Sequence, residues 1–93
     1  MNGDLLIKQL RQQISDTDRS IVDAFNARLR LVARLKSHKE SRGIDFLDPE
    51  REEWMLQYLT QANRGPLSED GLKELFEEIL DLTKREVQRG EES

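Results

Sequence analysis

The sequence predicts an all-α fold with three helices per chain: one very long, one short and one medium. Three observations carry that reading. Apolar residues recur at the helical period in three blocks, and nowhere at the alternating period of a strand. The blocks are separated by Gly43 and by Asn63-Arg64-Gly65-Pro66, which end helices. Charged residues make up 37% of the chain against 5% aromatics, the balance of helices with broad solvated faces.

The first helix is read from Asp4, as N-cap, to about Arg42, after a lead-in of Met1 to Gly3. Ile7, Leu10, Ile14, Ile21, Phe25, Val32 and Leu35 fall on one face. Ser15-Asp16-Thr17-Asp18 weakens the helix locally, but no Gly or Pro breaks it before Gly43. At ~1.5 Å per residue it would be about 60 Å long. A compact chain of this length is only about 30 Å across. In a monomer, half of the apolar stripe would stand uncovered. A second copy whose own long helix lies against the first resolves this, so an intertwined, two-fold helical homodimer is expected.

Asp48-Pro49 opens the second helix with a cap and a proline at its first position. Its inner face is read as Met55, Tyr58, Leu59 and Ala62, with Arg51 on that face and Glu52 at its edge. Ser68 caps the third helix, and Glu69 and Asp70 suit its N-terminal dipole. The third inner stripe is Leu72, Leu75, Phe76, Ile79, Leu80 and Thr83, with Glu86 and Val87 on opposite flanks. One helical domain over residues 1–90 is expected, followed by a disordered polar tail at 91–93.

Net charge is −4 with no isolated basic block, which argues against a nucleic-acid or anionic-membrane partner. No apolar run reaches the length of a membrane span, no signal-like segment opens the chain, and cysteine is absent. A cytoplasmic location is expected.

Arg28 and Lys39 project into the middle of the first apolar stripe. They differ by about 20° around the helix and roughly 16 Å along it. A cation on a core-facing stripe is costly unless paired, and two imply an anion supplied from elsewhere. Arg11 lies about 25 Å from Arg28 along a straight helix, too far to share a small ligand within one chain. In an antiparallel dimer, Arg11 of one copy approaches Arg28 of the other. Asp48 and Glu52 place carboxylates near Arg51, to orient it or to accept a hydroxyl proton. Such a pocket suits a small dicarboxylate bearing a hydroxyl, because guanidinium pairs bidentately with carboxylate. Plainer roles exist for each residue: Arg11 and Arg51 as surface ion-pair residues, Glu52 as a first-turn acid, and Asp48 as a cap.

There is no cysteine, no Ser–His pair with an orienting acid, no metal-ligand spacing and no glycine-rich phosphate loop. His38 falls opposite the stripe, as a surface residue. Neither a cofactor nor a metal is expected, and an enzyme made of these residues would bind and orient rather than attack.

Leu10-Arg11 with Ile14 and Asp18, Asn26-Ala27-Arg28, Lys39 and Asp48-Pro49-Glu50-Arg51-Glu52, in that order, resemble the all-helical chorismate mutases. The resemblance runs from Leu10 to about Thr83. It implies that Arg28 and the partner copy's Arg11 hold the carboxylates of chorismate, and that Lys39 donates to the ether oxygen. It further implies that Glu52, with the backbone around Asp48, accepts from the ring hydroxyl, while Arg51 orients the site. Leu35, Met55 and Leu80 would be apolar walls, and Thr83 a hydroxyl residue near the substrate. The implied reaction, a Claisen rearrangement to prephenate in aromatic amino acid biosynthesis (the shikimate pathway), needs no nucleophile, base or cofactor. Four residues after the Thr83 position the family usually carries Gln or Glu as a second donor; here Val87 stands there, with Glu86 as a neighbouring substitute. That departure keeps two related activities in view, aminodeoxychorismate mutase and isochorismate–pyruvate lyase. A non-catalytic helical dimer that binds a partner or effector, with Arg28 and Lys39 in interchain ion pairs, is the reading of another class.

Overall fold

The computed structural model describes residues 2–92. Three helices account for the architecture: α1 (Asn2–Ser41), α2 (Pro49–Ala62) and α3 (Glu69–Glu92). Among the described residues there is no strand, and no helix is long and apolar enough to cross a membrane. Two compact units divide the chain, Met1–Leu31 and Val32–Ser93.

The first unit consists of α1 alone. The helix already includes Asn2, so Asp4 lies in its first turn as a dipole-facing acid rather than serving as the N-cap. The weak Ser15–Asp18 segment stays helical, helped by local bonds: the Thr17 hydroxyl donates to the Gln13 carbonyl, and the Gln12 amide to Asp16. Leu5, Leu6, Ile7, Leu10, Ile14, Ile21 and Val22 are all 47–62% exposed.

The second unit begins with the end of α1. The helix closes in a Schellman-type turn, with the Ile44 N–H donating to the Lys39 carbonyl at 2.8 Å and the Gly43 N–H to the Glu40 carbonyl at 3.2 Å. Gly43 takes φ +66°, the left-handed conformation this stop requires. Asp48 caps α2, its carboxylate accepting from the Arg51 N–H at 3.1 Å, and Pro49 follows at the first helical position. Asn63 ends α2, and its side-chain amide donates to the Leu67 carbonyl, folding the connection toward α3. The Ser68 hydroxyl accepts from the Gly71 N–H, as expected of an N-cap.

The core is a single face of α3: Leu72, Phe76, Thr83 and Val87, to which α2 contributes only half-buried side chains. Leu75, placed in that stripe by sequence, is 48% exposed, and Val87, placed on its flank, is buried. Helical geometry explains the exchange, because positions eleven apart, such as 76 and 87, nearly coincide around the axis. On α2 the half-buried residues are Glu52, Met55, Leu56, Leu59 and Thr60, whereas Tyr58 and Ala62, expected inside, are exposed. Tyr58 instead stacks on Trp54, with ring centroids 5.3 Å apart and planes 3° from parallel. The α3 helix continues through Gly90 to Glu92, past the point where the sequence places a polar tail; Ser93 lies outside the described residues.

Candidate active site

Lys39 sits in the last turn of α1, half-buried, and its ammonium donates to the Phe46 carbonyl at 3.3 Å. The turn at Gly43 makes this contact, because it brings the connection back across the end of α1. Lys36, one turn earlier, lies 5.6 Å from the centroid of the Phe46 ring. Phe46 is thus gripped twice, by Lys36 through its ring and by Lys39 through its backbone. The two lysines differ in what neutralises them. Lys36, only 19% exposed, pairs with Glu91 on α3 and with Glu40 at 3.6 Å. Its hydrogen bond to Glu91 holds it protonated above its ordinary value, against the opposing effect of desolvation. Among the described residues, Lys39 is held by a neutral carbonyl and by no carboxylate.

Glu52 lies in the first turn of α2, where its own N–H donates to the Asp48 carbonyl at 3.1 Å. Its carboxylate pairs across to Lys84 of α3 at 3.2 Å. Asp48 is engaged as the cap, which leaves it tied to the backbone of Arg51. The Arg51 guanidinium lies 4.3 Å from the centroid of the Trp54 ring, forming a ladder with Tyr58 on the exposed side of α2. Thr83 is 4% exposed and its hydroxyl donates to the Ile79 carbonyl one turn back. Val87 follows one turn on, apolar and 8% exposed. Glu86 is half-buried and pairs with Arg89. Met55 and Leu80 are half-buried, while Leu35 is exposed.

The remaining two candidates belong to the first unit. Arg28 is half-buried, and desolvation lowers its pKa below the ordinary guanidinium value. Arg11 is exposed, in a shallow groove lined also by Asp4, Ile7, Lys8 and Gln12.

Within the second unit, then, the end of α1, the connection through Phe46, the first turn of α2 and the last turns of α3 are joined by charged contacts. Sequence reasoning missed four of the residues that make them: Lys36, Phe46, Lys84 and Glu91, the last of which it placed in a polar tail. Lys36 carried a local signal, being one turn from Lys39. Lys84 carried none, since its partner is on another helix.

Comparison with known proteins gives the arrangement its context. The family model for chorismate mutase type II matches residues 10–88. The bifunctional chorismate mutase/prephenate dehydratase of Stutzerimonas stutzeri is 37% identical over 79 residues, 80% of this chain and 22% of that protein. Its Pseudomonas aeruginosa counterpart is 35% identical over 79 residues, with the same coverage. The T-protein of Haemophilus influenzae is 35% identical over 81 residues, 86% of this chain and 20% of that protein. The chain therefore spans about a fifth of the length of these curated relatives. Two solved structures of chorismate mutase from Thermus thermophilus match the fold. Form II does so with TM-score 0.84 and 34% identity, covering 89% of this chain and 94% of that one. Form I gives 0.81 and 35%, covering 83% and 96%. A match that takes in all three helices and every candidate residue from Arg11 to Val87 leaves one conclusion: the chain belongs to the chorismate mutase type II family.

Proposed function

We propose that this chain catalyses the rearrangement of chorismate to prephenate as a homodimer. The ether C–O bond breaks, a new C–C bond forms, and no proton or electron need be exchanged with the protein. Catalysis is then a matter of holding the reactive conformer and stabilising charge that develops on the ether oxygen. Lys39 is assigned as the donor to that oxygen. The carrying observation is its environment: a half-buried ammonium, oriented by the Phe46 carbonyl and not neutralised by an acid among the described residues. Arg28 and the second copy's Arg11 are assigned to the substrate carboxylates, and Glu52 to the ring hydroxyl. Arg51 and Asp48 orient the first turn of α2, Leu35, Met55 and Leu80 are apolar walls, and Thr83 lies beside them. Neither metal nor cofactor takes part in this scheme. The same reading assigns the protein to the cytoplasm.

Support for the dimer comes from the first unit, whose large apolar residues from Leu5 to Val22 are exposed. Large contiguous apolar surfaces of this kind mark association sites.

A second reading is favoured by one observation. Val87 is buried and has no donor to offer at its position on α3, and Glu86 is engaged with Arg89. The same pocket could then serve aminodeoxychorismate or isochorismate.

The deciding experiment is incubation with chorismate followed by NMR for prephenate. Wild type should form prephenate above the uncatalysed rate, and Lys39→Ala should lose about 100-fold or more in kcat while remaining folded. Unchanged activity in that variant would remove Lys39 from its role. If chorismate survives wild type, isochorismate and aminodeoxychorismate are the next substrates. Failure of all three, with no ligand-induced rise in Tm, would leave the non-catalytic dimer.

A further inference from the structure

We propose that Lys84 is a positioning residue of this site, one that sets affinity for a doubly charged anion by neutralising Glu52; the inference rests on the function proposed above. The pair bridges the first turn of α2 and the inner end of α3, at 3.2 Å. Its side chains are 41% and 35% exposed, so it is open to solvent rather than set in the core. An ion pair this exposed contributes little to folding. Its position is more informative than its strength. Lys84 directly follows buried Thr83 and precedes buried Val87 by three residues, at the rim of the α3 core face.

The sequence around Glu52 is rich in acids: Asp45, Asp48, Glu50 and Glu53 all lie within seven residues of it, against Arg51 as the one cation in that span, and none of these four acids has a cross-helix cation among the described ion pairs. A dicarboxylate entering beside this turn meets repulsion that falls off slowly in a partly dry site. Lys84 cancels the charge of Glu52 itself without consuming the carboxylate's capacity, because an ionised carboxylate has about four acceptor sites and the lysine occupies one. Glu52 is left able to accept from a hydroxyl while the pair as a whole is neutral. The lysine acts through Glu52 and need not touch the substrate.

The test is steady-state kinetics on Lys84→Met, Lys84→Arg, Glu52→Gln and the Lys84→Met/Glu52→Gln double variant, with Tm recorded for each. Lys84→Met should raise KM about ten-fold with kcat within about two-fold and little change in Tm. Lys84→Arg should restore KM. In the Glu52→Gln background, removing the lysine should leave KM unchanged, because no charge remains to cancel. An active wild type whose KM is indifferent to Lys84→Met overturns this inference alone. So does a KM rise of the same size in the Glu52→Gln background, or a loss confined to kcat. A wild type inactive on all three substrates overturns the proposed function and this inference with it. Should Lys84→Met fail to fold, Lys84→Gln in both backgrounds makes the same comparison.

Discussion

Lys36 and Lys39 are one turn apart on the same helix, yet their environments assign them different work. Lys36 ties α1 to α3 through Glu91, and Lys39 donates to the Phe46 carbonyl and meets no carboxylate among the described residues. A pH dependence follows for the first of them. The folded protein holds the Lys36 proton more tightly than the unfolded chain, whose ordinary value is 10.5. The bridge therefore stabilises the fold fully below about pH 10.5 and loses its effect as pH rises through the higher folded value. Lys36→Met should melt below wild type at pH 8, with the two curves converging as pH rises beyond 10.5 through the folded value. A constant difference across that range, measured by circular dichroism, would detach the effect from the proton. At this scale Lys39 was legible because a cation interrupted an apolar stripe. Lys36 was not, since it falls on the flank of that stripe, where a lysine usually snorkels to solvent.

At the scale of elements, α3 carries the core and α2 covers it only partly. Leu72, Phe76, Thr83 and Val87 form one buried line, whereas α2 has no fully buried residue. Stability should therefore concentrate in α3. Phe76→Ala, which empties the largest side chain of that line, should cost about 3–5 kcal/mol. Urea denaturation of Phe76→Ala beside Tyr58→Ala would check this, with the latter costing far less because Tyr58 is exposed on its stack. Equal losses would mean that α2, not α3, organises the unit. Helix stops and caps at Gly43, Asp48 and Ser68 were readable because they satisfy local backbone groups. The rotational setting of α2 was not. Tyr58 and Leu56 both sit near the edge of its apolar arc, and the choice between them was made by the Trp54 ring on one side and α3 on the other.

For the whole molecule the decisive question is assembly. The large apolar residues of the first unit from Leu5 to Val22 are exposed, and the proposed site draws Arg11 from a second copy. Arg11→Ala and Arg28→Ala homodimers should each be nearly inactive. Mixed in equal amounts and allowed to exchange, they should recover about a quarter of wild-type activity. Half of the dimers are then heterodimers, each with one of its two sites intact. No recovery after exchange is confirmed by mass spectrometry of tagged chains would exclude a shared site.

Local chemistry in the sequence determined the helical class, the three elements, the caps of α2 and α3 and the ordered set of charged residues, because each depends on groups within a turn or two of one another. Family membership was legible for the same reason, from short motifs in a fixed order. Tertiary structure decided which acids neutralise Lys36 and Lys84. It pairs Lys36 with Glu91 and Glu52 with Lys84, partners on different helices that no periodicity connects. It also moved Val87 from the flank of α3 into the core. Burial is set by what packs against a face, and a helical wheel specifies the face without its neighbour.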